Sequence, residues 1–211
     1  LFCAHADDEV IGAGGTILAL KKKGYEIINV IFSHGEKSHP WLKEEYITKQ
    51  REREAKEADA LLGIKKTIIL GLKEGKFTED KIAVTKKIAD LIKKYNPDRI
   101  YTHIHDDPHP DHIATNKLVL ETVYGLKNKI LRDKIEIYAF DVWNLWNLRG
   151  RDLPRTYVDI SDYWKQKLET LKIFKTQKVA IFTLLWSVYL RAIVHGNHIG
   201  SRYAERFYKL K

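Results

Sequence analysis

Two rhythms of apolar and polar positions run along the chain. Residues 27–32 form a near-continuous apolar run, the pattern of a strand buried on both faces. Residues 1–4 read as the end of a strand, and 67–70, 99–103 and 135–140 as further short strands. Between them the apolar spacing widens to that of helices. Residues 9–23 place Ile11, Ile17, Leu18 and Leu20 on a helix, and Gly24 follows as a left-handed cap. Residues 41–62 form a longer helix that stops at Gly63, and 79–95 one that stops at Asn96-Pro97. Residues 113–124 form another, ended by Gly125.

Strands alternating with helices through short connections predict a single α/β domain over residues 1–211: a Rossmann-like, mostly parallel sheet with helices on both faces. The tail from Trp164 is expected to form helices on this core or a subunit surface. In such sheets ligands bind beyond the carboxyl ends of the strands. Chemistry is therefore to be sought just after strands.

Composition changes this picture little. The chain has 211 residues, 44% hydrophobic and 31% charged, as in a folded domain with a sizeable core. The net charge of +9 raises the possibility of nucleic acid or an acidic partner. Its lysines and arginines, however, are mixed with glutamates, as in Lys43-Glu44-Glu45 and Arg51-Glu52-Arg53-Glu54, the pattern of a solvated helix face. No nucleic-acid partner is expected. The most apolar stretch, 179–194, is broken by Thr183, Ser187 and Arg191, so no membrane association is expected either. The single cysteine, Cys3, excludes an intrachain disulfide or a cysteine-rich metal site. No signal segment is visible, and a cytoplasmic location is expected. The chain opens inside an apolar segment, Leu1-Phe2-Cys3, and is expected to lack its true N-terminus.

The chemistry lies in two clusters. His5-Ala6-Asp7-Asp8-Glu9 follows the first strand. Carboxylates this close repel unless a cation or a helix N-terminus absorbs their charge. Helix capping accounts for Asp8 and Glu9 but gives no reason for His5. The second cluster, Asp106-Asp107-Pro108-His109-Pro110-Asp111-His112, follows the strand ending at His103. Its prolines stiffen the loop and fix the polar side chains. Two such clusters at the carboxyl ends of two strands point jointly to a metal site. Two imidazoles and a carboxylate suit a catalytic zinc ion with a position open for water.

These residues carry a family resemblance. His5-x-Asp7-Asp8-Glu9, Gly12-Ala13-Gly14-Gly15 and Asp107-x-His109-Pro110-Asp111-His112 resemble the signatures of the LmbE-like (PIG-L-type) de-N-acetylases. Gly35-Glu36, Arg51-x-x-Glu54, Leu62-Gly63 and Gly200-x-x-Tyr203-Ala204-Glu205-x-Phe207 extend the likeness over nearly the whole chain, in order. The resemblance implies zinc-dependent removal of an N-acetyl group from an N-acetylglucosamine-type sugar or conjugate, resembling diacetylchitobiose or a thiol precursor. It implies His5, Asp8 and His112 as zinc ligands and Asp7 as general base. His109 would stabilise the oxyanion as an imidazolium or protonate the leaving amine. Asp111 would orient a histidine, and Arg51 and Glu36 would meet substrate. Three positions depart from the family pattern: Ala6 replaces the usual proline, Glu74 a shorter acid, and Asp107 the tyrosine that assists the oxyanion in some members.

Other features are read more plainly. The glycine cluster at 12–15 lacks the lysine of a phosphate loop, and close helix packing explains it better. His34, His39, His103, His105, His195 and His198 are expected to be structural. Trp41, Trp143 and Trp146 suit a sugar face or an interface, and Phe182, Trp186 and Tyr189 the core or a subunit contact of a homo-oligomer. The competing functions are another metal hydrolase, such as a phosphoesterase with two metals, and a binding module that has lost catalysis. Asp7 and His109 favour the amidase.

Overall fold

A computed structural model describes residues 1–36, 43–143 and 152–211. Its strands are β1 (Phe2–Cys3), β2 (Ile28–Ile31), β3 (Lys66–Ile69), β4 (Arg99–His103), β5 (Glu136–Phe140), β6 (Arg155–Asp159) and β7 (Ala204–Lys209). The helices are α1 (Asp8–Lys22), α2 (Glu44–Leu62), α3 (Lys81–Tyr95), α4 (Pro110–Tyr124), α5 (Lys129–Lys134), α6 (Trp164–Leu171) and α7 (Lys178–Asn197).

The strands pair as β1-β2-β3, all parallel, and as β4-β5-β7-β6, with β4 parallel to β5 and β7 antiparallel to both its neighbours. The two groups meet where β1 lies beside β4, and Ala4 N–H donates to His103 Nε2 there at 3.0 Å. The chain runs outward from β1 to β3, then crosses back to β4. This reversal opens a crevice at the carboxyl ends of β1 and β4, the usual ligand position in such sheets.

Strand residues divide by the period of two between two cores. Cys3, Ile31, Tyr138 and Phe140 face α1, α2, α6 and α7. Phe2, Val30, Phe32 and Ile137 face α3, α4 and α5. The expected fold class is observed. Gly63 and Asn96 adopt left-handed conformations at the ends of α2 and α3, and Gly24, just past α1, has φ 86°.

The C-terminal region differs from expectation in carrying two strands, β6 just before Trp164 and β7 after the helices that follow it. The polar edge strand β6 and its partner β7 lack a clear apolar run. The stretch Lys175–Asn197 is long and apolar enough to cross a membrane by length and composition, and about a third of its most apolar part is buried in the fold. It packs on β7, and Arg191 donates to the carbonyls of Asp141 and Val142 just past β5, at 3.1 and 3.3 Å.

Candidate functional site

The loop from β1 into α1 carries His5, Asp7 and Asp8. Asp8 opens α1, and its Oδ2 accepts from His5 N–H at 2.8 Å, which folds the loop tightly. The loop from β4 into α4 carries Asp107, His109, Asp111 and His112. Pro110 stands at the first helical position, where a missing N–H costs nothing. His109 caps this helix, its Nδ1 accepting from Asp111 N–H at 3.2 Å.

The two loops bring their side chains together over the crevice. His112 Nε2 lies 3.3 Å from Asp8 Oδ1, and His5 Nδ1 3.8 Å from Asp8 Oδ2. The His109 ring stacks on His112 with centroids 4.7 Å apart and meets His5 edge-on at 5.1 Å. Three candidate metal-ligand groups result among the described residues: His5, His109 and His112; Asp8, His103 and His112; and His5, Glu74 and Asp111. In each, the donor atoms lie within 4.8 Å of one another. His112 Nε2 is buried, makes no hydrogen bond among the described residues and faces the Asp8 carboxylate, while His5 turns Nδ1 towards Asp8 and Nε2 towards Asp111. An unmatched imidazole nitrogen beside a buried carboxylate suits a cation, which would satisfy both.

Surrounding residues complete the site. Asp107, fully buried, lies 3.0 Å from His112 Nδ1. It also accepts from the N–H groups of His109, Val142 and Trp143 at 3.0, 3.3 and 3.1 Å. Asp111 lies 3.3 Å from His5 Nε2 and accepts from Gly75 N–H at 3.0 Å. Glu74 approaches His5 to 3.5 Å. Arg51 reaches from α2 to donate to Ala6 O at 2.8 Å. A cavity of about 80 Å³ opens onto the cluster, lined by His5, Asp7, Asp8, Arg51, Glu74, His109 and Trp143 among others. Glu36 is not among its lining residues. It accepts from Ser33 Oγ at 3.0 Å and from Glu74 N–H at 3.3 Å, one layer further out.

Burial and charge set the protonation of these groups. Burial pushes Asp7 up to about 7, although Arg51 opposes this. Burial acts the same way on Asp8, but His112 and His103 outweigh it and hold Asp8 well below the usual carboxylate range. His112 is pulled down by burial and raised further by Asp8 and Asp107, to about 10. His109 is lowered by burial, then by His112 and His5.

Sequence reading treated His103 as structural, yet it stacks on His112 at 3.8 Å and lies 3.2 Å from Asp8. Its place as the last residue of β4, at the switch in strand order, was the available signal. Glu74, marked in the sequence only as a departure from a shorter family acid, enters from the loop after β3, and Val142 from the loop after β5, where nothing in its local sequence marks it. His34 lies beside Glu52, and His195 and His198 beside Tyr157, outside the cavity lining. His39, Trp41 and Trp146 lie outside the described residues.

Comparison with known proteins agrees with the fold and with the family resemblance. The model of the GlcNAc-PI de-N-acetylase (PIG-L) family matches residues 1–123. The diacetylchitobiose deacetylase of Thermococcus kodakarensis is 30% identical over 95% of this chain and 78% of its own. A probable N-acetyl-alpha-D-glucosaminyl L-malate deacetylase of Bacillus cereus is 32% identical over 84% of this chain and 82% of its own. Among solved structures, the N,N'-diacetylchitobiose deacetylase of Pyrococcus horikoshii superposes with a TM-score of 0.84 at 25% identity, covering 99% of this chain and 82% of that one. The chain belongs to the PIG-L family of LmbE-like deacetylases.

Proposed function

We propose that this protein is a zinc-dependent hydrolase that removes the N-acetyl group from an N-acetylglucosamine-type sugar or conjugate, with His5, Asp8 and His112 holding the metal. One observation carries the reading. His5, Asp8, a second carboxylate at Asp7 and a further imidazole at His109 line one cavity at the switch in strand order, and His112 Nε2 stands 3.3 Å from Asp8 behind them. The relatives supply the acetylated amino sugar.

Bound zinc would polarise the amide carbonyl and acidify the attacking water. The remaining work falls to side chains. Asp7, whose carboxyl burial raises to about 7, accepts the proton of the attacking water and returns it to the amide nitrogen as the C–N bond breaks, so that acetate and a free amine leave. His109 Nδ1 accepts from Asp111 N–H and so carries no proton. With that tautomer the ring is a neutral imidazole whose Nε2–H can donate to the developing oxyanion or towards the leaving amine. Asp111 steadies His5. Arg51 and Trp143 line the cavity and are placed to meet sugar hydroxyls and a sugar face, while Glu36 acts on Glu74 from behind. The exposed apolar residues of α7, Phe182, Trp186 and Tyr189 among them, support a homo-oligomer. The expectations of a cytoplasmic location and of no nucleic-acid or membrane partner complete the reading.

The test is acetate release from N-acetylglucosamine, its disaccharide and its thiol-precursor conjugates, by metal-stripped protein with and without zinc. Zinc-dependent release is expected, and Asp7→Asn should lower kcat by at least about a hundredfold. Tight zinc binding without release from any substrate would overturn the amino-sugar assignment. A requirement for two metals per site would favour a phosphoesterase.

A further inference from the structure

The backbone of Asp7 is strained. Its φ is 121° and its ψ −28°, outside the left-handed region that Asn96 occupies at φ 45° as an ordinary helix cap. A non-glycine residue held there is strained, and persists only where its surroundings enforce it.

The surroundings grip one peptide from both ends. The carbonyl of Ala6 accepts from Arg51 Nη2 at 2.8 Å. The N–H on the other side of the same peptide, that of Asp7, donates to Glu9 Oε2 at 3.2 Å. Glu9 is fully buried and Arg51 is 3% exposed, so neither bond competes with bulk water. Arg51 reaches the peptide by passing against Gly35. A Cβ on Gly35 would lie 2.7 Å from Arg51 Cζ, and its φ of 70° also favours glycine. Helix capping would ask only for an acid near the first turn of α1. It would not call for one buried completely and turned back on the residue two before it.

We propose that Glu9 and Arg51 are positioning residues that clamp the Ala6–Asp7 peptide in its strained conformation and thereby aim the Asp7 carboxylate into the cavity. The inference rests on the reading of Asp7 as general base. Arg51 thus holds the base as well as lining the substrate cavity, and Glu9, which touches neither metal nor substrate, has a defined task. Gly35 is the space the clamp needs.

Glu9→Leu keeps the bulk and removes the acceptor, whereas Glu9→Gln keeps an acceptor oxygen. In Glu9→Leu the zinc-loaded enzyme should lose about a hundredfold in kcat, the scale of an ångström's misplacement, with KM changed less than about twofold and zinc content unchanged. Glu9→Gln should recover most of that kcat. Amide hydrogen exchange at Asp7, read by NMR, should speed up at least about tenfold in Glu9→Leu and not in Glu9→Gln. Slow Asp7 exchange with undiminished kcat in Glu9→Leu would overturn the clamp. Should Glu9→Leu fail to fold, Gly35→Ala, which displaces Arg51, must give the same kcat loss and faster Asp7 exchange, or the clamp fails. The exchange measurement stands even if no substrate releases acetate. In that event the deacetylase reading falls and the clamp is judged by exchange alone.

Discussion

A carboxylate that accepts several hydrogen bonds is hard to replace, and Asp107 shows why. Its two oxygens take three backbone N–H groups, from His109, Val142 and Trp143, and lie against His112 Nδ1. Burial would raise it, but His112 outweighs burial and brings it down to about 2, so it stays ionised at any working pH. It joins the histidine loop to the cavity wall at Trp143. Asparagine is the same size but has one acceptor oxygen and an NH2 group that must face either His112 or the backbone donors. Asp107→Asn is therefore expected to weaken zinc binding by about 10–100-fold, measured by competition with a chromophoric chelator. An unchanged affinity would limit Asp107 to holding the Trp143 loop. This residue also marks the limit of what the sequence discloses. The two motifs placed His5, Asp8 and His112 within reach of one another, because adjacent parallel strands bring their carboxyl ends together. Asp107 stood out as a member of the second motif and as a departure from a family tyrosine, with no role assigned to it. Its partners on the β5 loop are 35 and 36 residues away, and no local pattern records that contact.

Among the secondary-structure elements, α1 is the one most dependent on others. Its glycines allow close approach: a Cβ on Gly12 would lie 2.2 Å from the Phe140 ring and one on Gly15 2.6 Å from Ile160. This is the close packing that the glycine cluster suggested. At the same place side chains enter the helical ladder. Glu205 of β7 accepts from Gly15 and Thr16 N–H at 2.9 and 2.8 Å, and Lys167 of α6 donates to Glu205 at 2.6 Å and to Ile11 O at 2.8 Å. The Tyr203-Ala204-Glu205 signature thus ties the tail to the helix that presents Asp8. Removing one partner of a buried pair leaves an uncompensated charge, at about 3–5 kcal/mol. Glu205→Leu should lower Tm by on the order of 10 °C, and Lys167→Met added to it should restore part of the loss. Calorimetry on both variants checks this. A Tm unmoved by Glu205→Leu would show that the pair contributes no stability. The strands of the tail were not legible in the sequence for a related reason. β6 is an edge strand of mixed polarity, and β7 spends positions on Glu205 and Arg206 that bind other elements. Neither shows the alternation that betrays a half-buried strand. The strand 135–140 was legible because burial makes it plainly apolar, and 99–103 because its β-branched and aromatic Ile100, Tyr101 and Thr102 follow the helix stop at Asn96-Pro97.

The whole molecule is closed by the packing of α7 on the sheet, and that junction is charged. Arg191 and Arg206 meet Asp141, Lys167 meets Glu205, and His195 sits among them, 8% exposed, with His198 and the Tyr157 ring nearby. Burial first, then Arg206, Arg191, His198 and Lys167, pushes the imidazole down to about 3. In the unfolded chain it titrates near the ordinary value of about 6.5. The folded form therefore binds this proton later than the unfolded one. The stability that this neutral histidine contributes is present above pH 6.5 and is lost as pH falls from there towards 3. Over that interval the loss amounts to roughly 3–5 kcal/mol. Asp8, Asp107 and Asp111 also titrate low in the folded state, so their contribution is lost mainly below about pH 4. His103, lowered by burial to about 4, loses stability in the same direction as His195. The comparison of wild type with His195→Gln between pH 6.5 and 4.5 separates the two histidines. Urea unfolding should show the wild type losing about 2 kcal/mol more than the variant across that window. Parallel curves would mean that His195 is already protonated in the fold and that Asp141 or Glu205 carries its charge. The outcome bears on the site, because α7 supplies Ala180 and Leu184 to the cavity wall. If acid loosens this helix, catalysis on the acid side should fall through loss of the wall as well as through protonation of Asp7, and only the second effect should survive in His195→Gln.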